Sequence, residues 1–197
     1  MYRRTLIGVF GTLAACSGGT DAPDISRASF IESFPTEFDD FRSLGVRYVN
    51  VAGDEVEVYA GLDADGAFAD VLVDISSDLG GELAGNATYG ARYSVEGFRN
   101  VVPSDSDPDE PFDGDAVRES GTFTASADLS TGRLTGADDR FTLNGIISEG
   151  ALSGTVTFDG LEGPLQGKIG QDDFLGGFLL EAPDAALGGL VRSDPTP

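Results

Sequence analysis

The sequence predicts an all-β protein whose strands form an antiparallel meander, closed either as a barrel or as a sandwich. Short runs rich in valine, threonine, phenylalanine and leucine recur about every ten residues, separated by turn signals. Glycine occurs 28 times in 197 residues. Several glycines fall inside predicted strands, as expected where strands coil sharply or pack closely. They are Gly145, Gly154, Gly167, Gly176 and Gly188.

The first strands are predicted from a change of hydrophobic period at Val46. From there the pattern alternates with a period of two, which indicates a strand rather than a helix. Further strands are expected over 56–60 and 68–75, joined by a turn at 63–66. An Asp-Gly pair in this turn tolerates the positive φ of a tight hairpin. A long strand is then expected over 83–98.

The strand signal is strongest after 103–115, an acidic, proline-rich stretch in which no regular element is expected. Short turns that contain glycine divide the sequence after residue 115 into segments whose length is typical of strands in β-hairpins. The predicted strands cover 121–129, 133–136, 141–147, 151–158, 163–169, 174–180 and 186–192.

A phenylalanine-rich segment over 25–45 precedes the strands. Pro35 interrupts it and can only begin or kink a helix. We expect a short helical or irregular segment that packs its phenylalanines on the main domain. An exposed aromatic binding stripe is the alternative. Four phenylalanines have the spacing of one helical face, namely Phe30, Phe34, Phe38 and Phe41.

Cys16 is the only cysteine, and it lies where an export signal would end. Arg3 and Arg4 precede an apolar run of about eight residues, followed by small residues, which is the layout of a secretory signal. The run is far shorter than the roughly 20 residues that span a bilayer. Leu-Ala-Ala-Cys at 13–16 resembles the lipobox of bacterial lipoproteins. The resemblance implies cleavage before Cys16, diacylation of its thiol and acylation of the new N-terminus. An ordinary secretory signal with an accidental cysteine is the alternative.

The composition excludes several functions. A net charge of −22 repels nucleic acid and anionic lipid, so neither is an expected partner. The chain contains no histidine, which removes the commonest general base and metal ligand. With Cys16 acylated, no disulfide, zinc thiolate or thiol catalysis is expected. No serine lies in a Gly-x-Ser-x-Gly elbow. We therefore expect no catalytic residue and no cofactor.

Two acidic groups are weak candidates for calcium, since carboxylates suit this ion. The first group begins at Asp105 and resembles the start of an EF-hand loop. However, Glu110 stands where that loop requires glycine, and Ala116 stands where it requires glutamate, so a solvated loop is preferred. The second is better explained by turn chemistry. The groups are Asp105, Asp107 and Asp109, and Asp63, Asp65 and Asp70.

Haem binding would require a tyrosine ligand, because histidine is absent and the single methionine leaves with the signal. Tyr89 and Tyr93 are better explained by packing inside a barrel. The other candidates are Tyr48 and Tyr59.

The C-terminal half carries a family resemblance. Residues 121–136, GTFTASADLSTGRLTG, combine an aromatic and threonine strand, an aspartate, a hydrophobe and a Gly-x-x-x-Gly turn. The pattern continues through 141–158 and 165–189. It resembles the β-barrel domain of transferrin-binding protein B and related bacterial surface lipoproteins, over about residues 85–192. The resemblance implies an eight-stranded antiparallel barrel, an outer-membrane lipid anchor and the capture of protein or haem. Residues 25–84 would be a reduced N-terminal handle or the first barrel strands.

The predicted organisation has five parts: a signal peptide, a lipid-anchored tether, the phenylalanine-rich segment, a β-barrel domain and a tail. Their bounds are 1–15, 16–24, 25–45, 46–192 and 193–197.

These features predict a monomeric, non-enzymatic lipoprotein, held in the outer membrane through Cys16 on its surface or periplasmic face. Its barrel would bind a protein partner through loops. The alternative is a carrier of haem or an apolar molecule in the barrel interior. A carrier needs a cavity of some hundreds of Å³, whereas a protein binder needs a filled barrel and an exposed apolar patch.

Overall fold

The computed structural model describes residues 24–34, 40–81, 83–105 and 109–194, without the side chains of residues 40 and 41. The predicted signal peptide, Cys16 and most of the predicted tether therefore lie outside the described residues. All regular structure in the described part is β-strand.

The N-terminal part forms a four-stranded sheet in the order β1-β4-β3-β2. Strand β1 runs parallel to β4, whereas β2, β3 and β4 form an antiparallel meander. The predicted turn joins β3 to β4. The strands are β1 (Ser26–Ile31), β2 (Asp40–Val49), β3 (Glu55–Asp63) and β4 (Gly66–Asp74).

The C-terminal part forms a closed barrel of eight antiparallel strands, in which β12 pairs with β5 to complete the ring. The eight-stranded antiparallel barrel is thereby confirmed. Its strands are β5 (Asn86–Pro103), β6 (Phe112–Asp128), β7 (Arg133–Ala137), β8 (Phe141–Ser148), β9 (Ala151–Phe158), β10 (Leu161–Ile169), β11 (Phe174–Ala182) and β12 (Ala185–Ser193).

Two predicted bounds of the barrel are wrong. The barrel begins at Asn86 rather than Val46, and it ends at Ser193, one residue later than expected. Residues 25–84 are not its first strands, because their strands form the separate sheet. An alternating pattern identifies strands but not the sheet that they join.

The helical interpretation of the phenylalanine-rich segment is also wrong, because β1 is a strand that pairs with β4. Phe30 packs against the core between the sheet and the barrel. The Phe34 ring lies edge-on to Tyr59, with centroids 6.1 Å apart. Packing of these phenylalanines on the main domain is thus confirmed. Phe38 and the side chain of Phe41 lie outside the described residues.

The sheet packs on the outer face of β5, β11 and β12, where valines from β3 and β4 meet leucines from the barrel. Glycines on the barrel allow a close approach. A methyl group at Gly188 would lie 2.6 Å from Val58 Cγ1, and one at Gly177 would lie 2.5 Å from Val71 Cγ1. The predicted close packing at Gly188 is therefore confirmed, and its partner is the N-terminal sheet.

Candidate binding surfaces at the two ends of the barrel

The barrel has two ends that differ in structure. The hairpin end consists of the described residues of the β5–β6 loop (104–105 and 109–111) and the β7–β8, β9–β10 and β11–β12 turns. The cleft end consists of the β6–β7, β8–β9 and β10–β11 turns, together with a linker (75–85) that connects the sheet to β5.

The barrel interior between these ends is filled by aromatic side chains. Tyr93 stacks on Phe141 with ring centroids 4.3 Å apart and planes 8° from parallel. Phe123, Phe158 and Phe178 surround this pair. All five side chains are buried. These side chains fill the part of the interior that a small-ligand carrier would keep open.

The two tyrosines considered as haem ligands belong to this packed interior. Tyr89 donates its hydroxyl hydrogen bond to the Gly170 carbonyl at 2.9 Å. Burial raises the pKa of both Tyr89 and Tyr93 to about 12. Both therefore stay protonated at neutral pH and serve as packing groups.

Paired charges cover the hairpin end. Arg140 bonds Glu119, and its Nη2 donates to Asp159 Oδ2 at 2.5 Å. Arg99 Nη1 donates to the same Asp159 oxygen at 2.9 Å. Both guanidinium groups lie over the buried ring of Phe158, at 5.0 and 5.2 Å from its centroid. The bonds from Arg140, with Arg99 adding to them, outweigh burial and lower the pKa of Asp159 to about 2.

The β5–β6 hairpin extends beyond the barrel at this end. Strand β12 pairs with β5 only as far as Phe98, and β7 pairs with β6 only from Thr124. Arg42 of the sheet holds the extension, because its Nη2 donates to the Gly114 carbonyl at 2.7 Å while its guanidinium covers Phe98. Strand pairing reaches Pro103 and Phe112, so strands extend into the predicted irregular stretch 103–115 from both sides.

The chain also enters the described fold at the hairpin end. The Ile25 amide donates to the Pro183 carbonyl at 3.1 Å, and Ser26 Oγ bonds the Ala182 carbonyl. Both acceptors lie at the β11–β12 turn. The end of the tether is therefore fixed beside the hairpin end.

A buried carboxylate in the sheet positions the linker at the cleft end. Asp54 is only 1% exposed. Its Oδ1 accepts the backbone N–H groups of Ser76 and Ser77, each at 2.8 Å. Its Oδ2 accepts the Asn50 amide at 2.8 Å and the Ser77 hydroxyl. Burial raises the pKa of Asp54, but the bonds from Ser77, Asn50 and Ser76 outweigh burial and lower it to about 2.

The linker and the barrel turns enclose a cleft of about 680 Å³. Its volume lies within the range of small-ligand sites, roughly 300–1,000 Å³. Asp78 and Glu149 are exposed at its edge, whereas Lys168 is half-buried. Four apolar side chains line it, namely Leu83, Leu129, Ile147 and Ile169.

Lys168, the single lysine of the chain, lines this cleft without a carboxylate partner. Its Nζ donates to the Ser77 carbonyl at 3.2 Å. Among the basic residues of the described ranges, only Lys168 and Arg133 lie outside ion pairs. An ammonium group has three donors, so Lys168 keeps donors for a ligand.

The acidic calcium candidates have different outcomes. Asp63 pairs with Arg27 and accepts the Asp65 amide at 2.9 Å, and Asp70 accepts the Ser29 hydroxyl at 2.7 Å. Turn chemistry thus explains Asp63 and Asp65. Asp107 lies outside the described residues, so the hypothesis for Asp105, Asp107 and Asp109 stays a prediction. No cluster able to hold a metal ion occurs within the described part of the chain.

The remaining tyrosines pack on the sheet. Tyr48 lies beneath Arg192, whose guanidinium carbon is 4.5 Å from the ring centroid. Tyr59 packs against Phe68 with ring centroids 5.6 Å apart.

None of the described segments is a helix long and apolar enough to cross a bilayer.

The fold thus defines a protein with a packed barrel, whose accessible surfaces are its two ends and the outer face that the sheet leaves uncovered. No protein-family model and no curated protein matches the chain. The haemoglobin receptor HpuA from Kingella denitrificans aligns with a TM-score of 0.42 and 13% identity, over 72% of this chain and 55% of its own.

Transferrin binding protein B is similar to a comparable degree. The isotype 1 protein from serogroup B Neisseria meningitidis aligns with a TM-score of 0.45 and 11% identity, over 78% of this chain and 35% of its own. A double mutant from Haemophilus parasuis Hp5 aligns with a TM-score of 0.42 and 10% identity, over 78% of this chain and 37% of its own. This chain spans about half the length of HpuA and about a third of these proteins. Likenesses at this level assign neither a ligand nor a residue role.

Proposed function

We propose that this chain is a lipid-anchored, non-enzymatic binding module of a bacterial outer membrane, which binds a protein partner through loops at the cleft end. The packed barrel interior is the observation that carries this proposal. With Phe141, Phe158 and Phe178 fully buried there, a ligand has to bind outside the barrel. The interior carrier accordingly loses its structural basis.

The side chains at the two ends support a binding role over catalysis. Arg140 and Arg99 are paired with carboxylates at the hairpin end, so their charges stabilise the fold. The cleft end offers an amine, carboxylates and serines without histidine or cysteine. The Ser77 hydroxyl bonds Asp54 there, but a carboxylate whose pKa is lowered to about 2 is too weak a base to activate it.

The position of the tether gives the module an orientation. If Cys16 is acylated, residues 16–24 span at most about 30 Å when fully extended. Because Ile25 is bonded at the β11–β12 turn, the hairpin end is the end nearer the anchor, and we propose that it faces the membrane. The cleft end then points away from it, where a protein partner has access.

Site-specific photo-crosslinking on intact cells tests the binding role. A photoreactive residue replaces Thr131 at the cleft end or, as the matched control, Asp184 at the hairpin end, since both side chains are exposed. We expect a discrete protein adduct from position 131 and none from position 184. The absence of an adduct at position 131, together with a Soret shift on mixing with haemin, would favour the carrier instead.

A further inference from the structure

The cleft end has the chemistry to recognise one particular feature of a partner. We infer that the cleft binds the carboxyl-terminal segment of a polypeptide, with the terminal carboxylate on Lys168. This inference rests on the proposed function, because it specifies what the protein partner presents.

The carboxylate site follows from the position of Lys168. The residue is half-buried, and Nζ is held by its bond to the Ser77 carbonyl. Asp54 fixes that part of the linker through two backbone amides. The ammonium group is thus positioned before a ligand arrives. A preorganised donor loses less conformational entropy on binding than a mobile surface lysine does.

The apolar lining selects the side chains next to the carboxylate. Leu83 and Leu129 come from the linker and the β6–β7 turn, whereas Ile147 and Ile169 come from β8 and β10. Leu83, Leu129 and Ile147 are half-buried and offer apolar surface from three segments of the chain, while Ile169 is buried beneath them. Aliphatic side chains at the last positions of the peptide would strengthen binding, because they remove this apolar surface from water.

The acidic edge of the cleft favours a positively charged residue upstream of the peptide's C-terminus. Asp78 and Glu149 are exposed there, and the chain as a whole carries a net charge of −22. A partner tail with a basic residue upstream of its apolar C-terminus complements both charges. An acidic tail would be repelled.

The probes are two synthetic peptides, acetyl-Lys-Ala-Leu-Leu with a free carboxyl terminus and the same peptide as a terminal amide. Calorimetric titration into the full-length protein is expected to show that amidation weakens binding about tenfold, as loss of one charge-assisted hydrogen bond would. The Lys168→Gln variant should bind both peptides equally and no better than wild type binds the amide. Lys168→Arg should keep the preference for the free carboxylate.

Arg133→Gln is the matched control, because within the described residues it removes the other cation outside an ion pair, from an exposed position outside the cleft lining. It should leave the preference unchanged. Equal binding of both peptides to wild type would overturn the inference, as would no saturable binding of either. If the photo-crosslinked adduct at position 131 still formed, the proposed function would survive that result. Unchanged thermal unfolding of Lys168→Gln would exclude a folding defect.

Discussion

The two ends of the barrel use their charges differently. At the hairpin end, Arg140 and Arg99 are paired with Glu119 and Asp159, so each of these charges has an opposite charge within the fold, although Nε and Nη2 of Arg99 are buried without a hydrogen-bond partner among the described residues. At the cleft end, neutral donors surround Asp54, and Lys168 is left without a carboxylate. Charge density alone therefore does not identify a binding surface. The informative feature is a charge that the fold positions but does not pair.

The largest effect is expected from Asp54→Ala, which removes the carboxylate that holds the cleft end. The amides of Ser76 and Ser77 and the side chain of Asn50 would lose their acceptor in a buried position. We expect a loss of about 3–5 kcal/mol in the free energy of unfolding, or roughly 10 °C in the melting temperature. Thermal unfolding measures it. Asp74→Ala, at an exposed carboxylate of β4, should change little.

Gly188→Ala tests how tightly the sheet packs on the barrel. The added methyl group would lie 2.6 Å from Val58 Cγ1 and 3.0 Å from Val71 Cγ2. Overpacking of this kind costs about 1–3 kcal/mol. Chemical denaturation should show that loss. At Gly90 a methyl group would have its nearest neighbour, Asp194 Cβ, at 3.9 Å, so Gly90→Ala is the control. Equal stabilities for the two variants would show that this contact is not tight.

A smaller effect is expected from Asp159→Asn at the hairpin end. The substitution removes a carboxylate that Arg99 and Arg140 share. The side chain of Asp159 is 23% exposed. Partly exposed ion pairs contribute little each, so we expect a loss of about 1 kcal/mol that shrinks at high salt. Urea unfolding at low and high ionic strength measures it. Glu162→Gln at an exposed position of β10 provides the control, and a loss independent of salt would contradict an electrostatic origin.

The acid dependence of stability separates the two ends further. The pKa of Asp54 and that of Asp159 are both lowered to about 2. An aspartate with a depressed pKa stabilises the fold above its unfolded value near 4, and this contribution is lost as pH falls through the folded value. Wild-type stability should therefore decline between about pH 4 and pH 2. In Asp159→Asn this decline should be shallower, and high salt should not alter the part that remains from Asp54. An identical decline in both proteins would show that Asp159 does not contribute.

The barrel strands could be predicted from the sequence because their signals are local. Turns containing glycine or Asp-Gly divide residues 121–192 into strands of the observed order, and the glycine pattern carried the family resemblance. The sheet was assigned to the barrel instead, since alternation in β2 and β3 looks the same in either sheet. The spacing of Phe30 and Phe34 suited a helix, but pairing of β1 with β4 overrode it.

The ends of the barrel depend on contacts that no local pattern reveals. Asp159 meets Arg99 across 60 residues, and Lys168 meets the Ser77 carbonyl across 91. A single lysine in a chain with a net charge of −22 was a signal that could have drawn attention to the cleft. Asp54 had no such signal, because its role comes from the amides that surround it.

The orientation of an anchored barrel tests the central claim most directly. Asp184→Cys and Thr131→Cys place a donor fluorophore at the hairpin end and the cleft end of the lipidated protein in vesicles that carry an acceptor lipid. The two ends of such a barrel are about 20–25 Å apart. We predict stronger energy transfer from position 184 than from position 131, and no transfer from either once Cys16→Ala is introduced. Stronger transfer from position 131, or transfer that persists in Cys16→Ala, would contradict anchoring through Cys16 at the hairpin end.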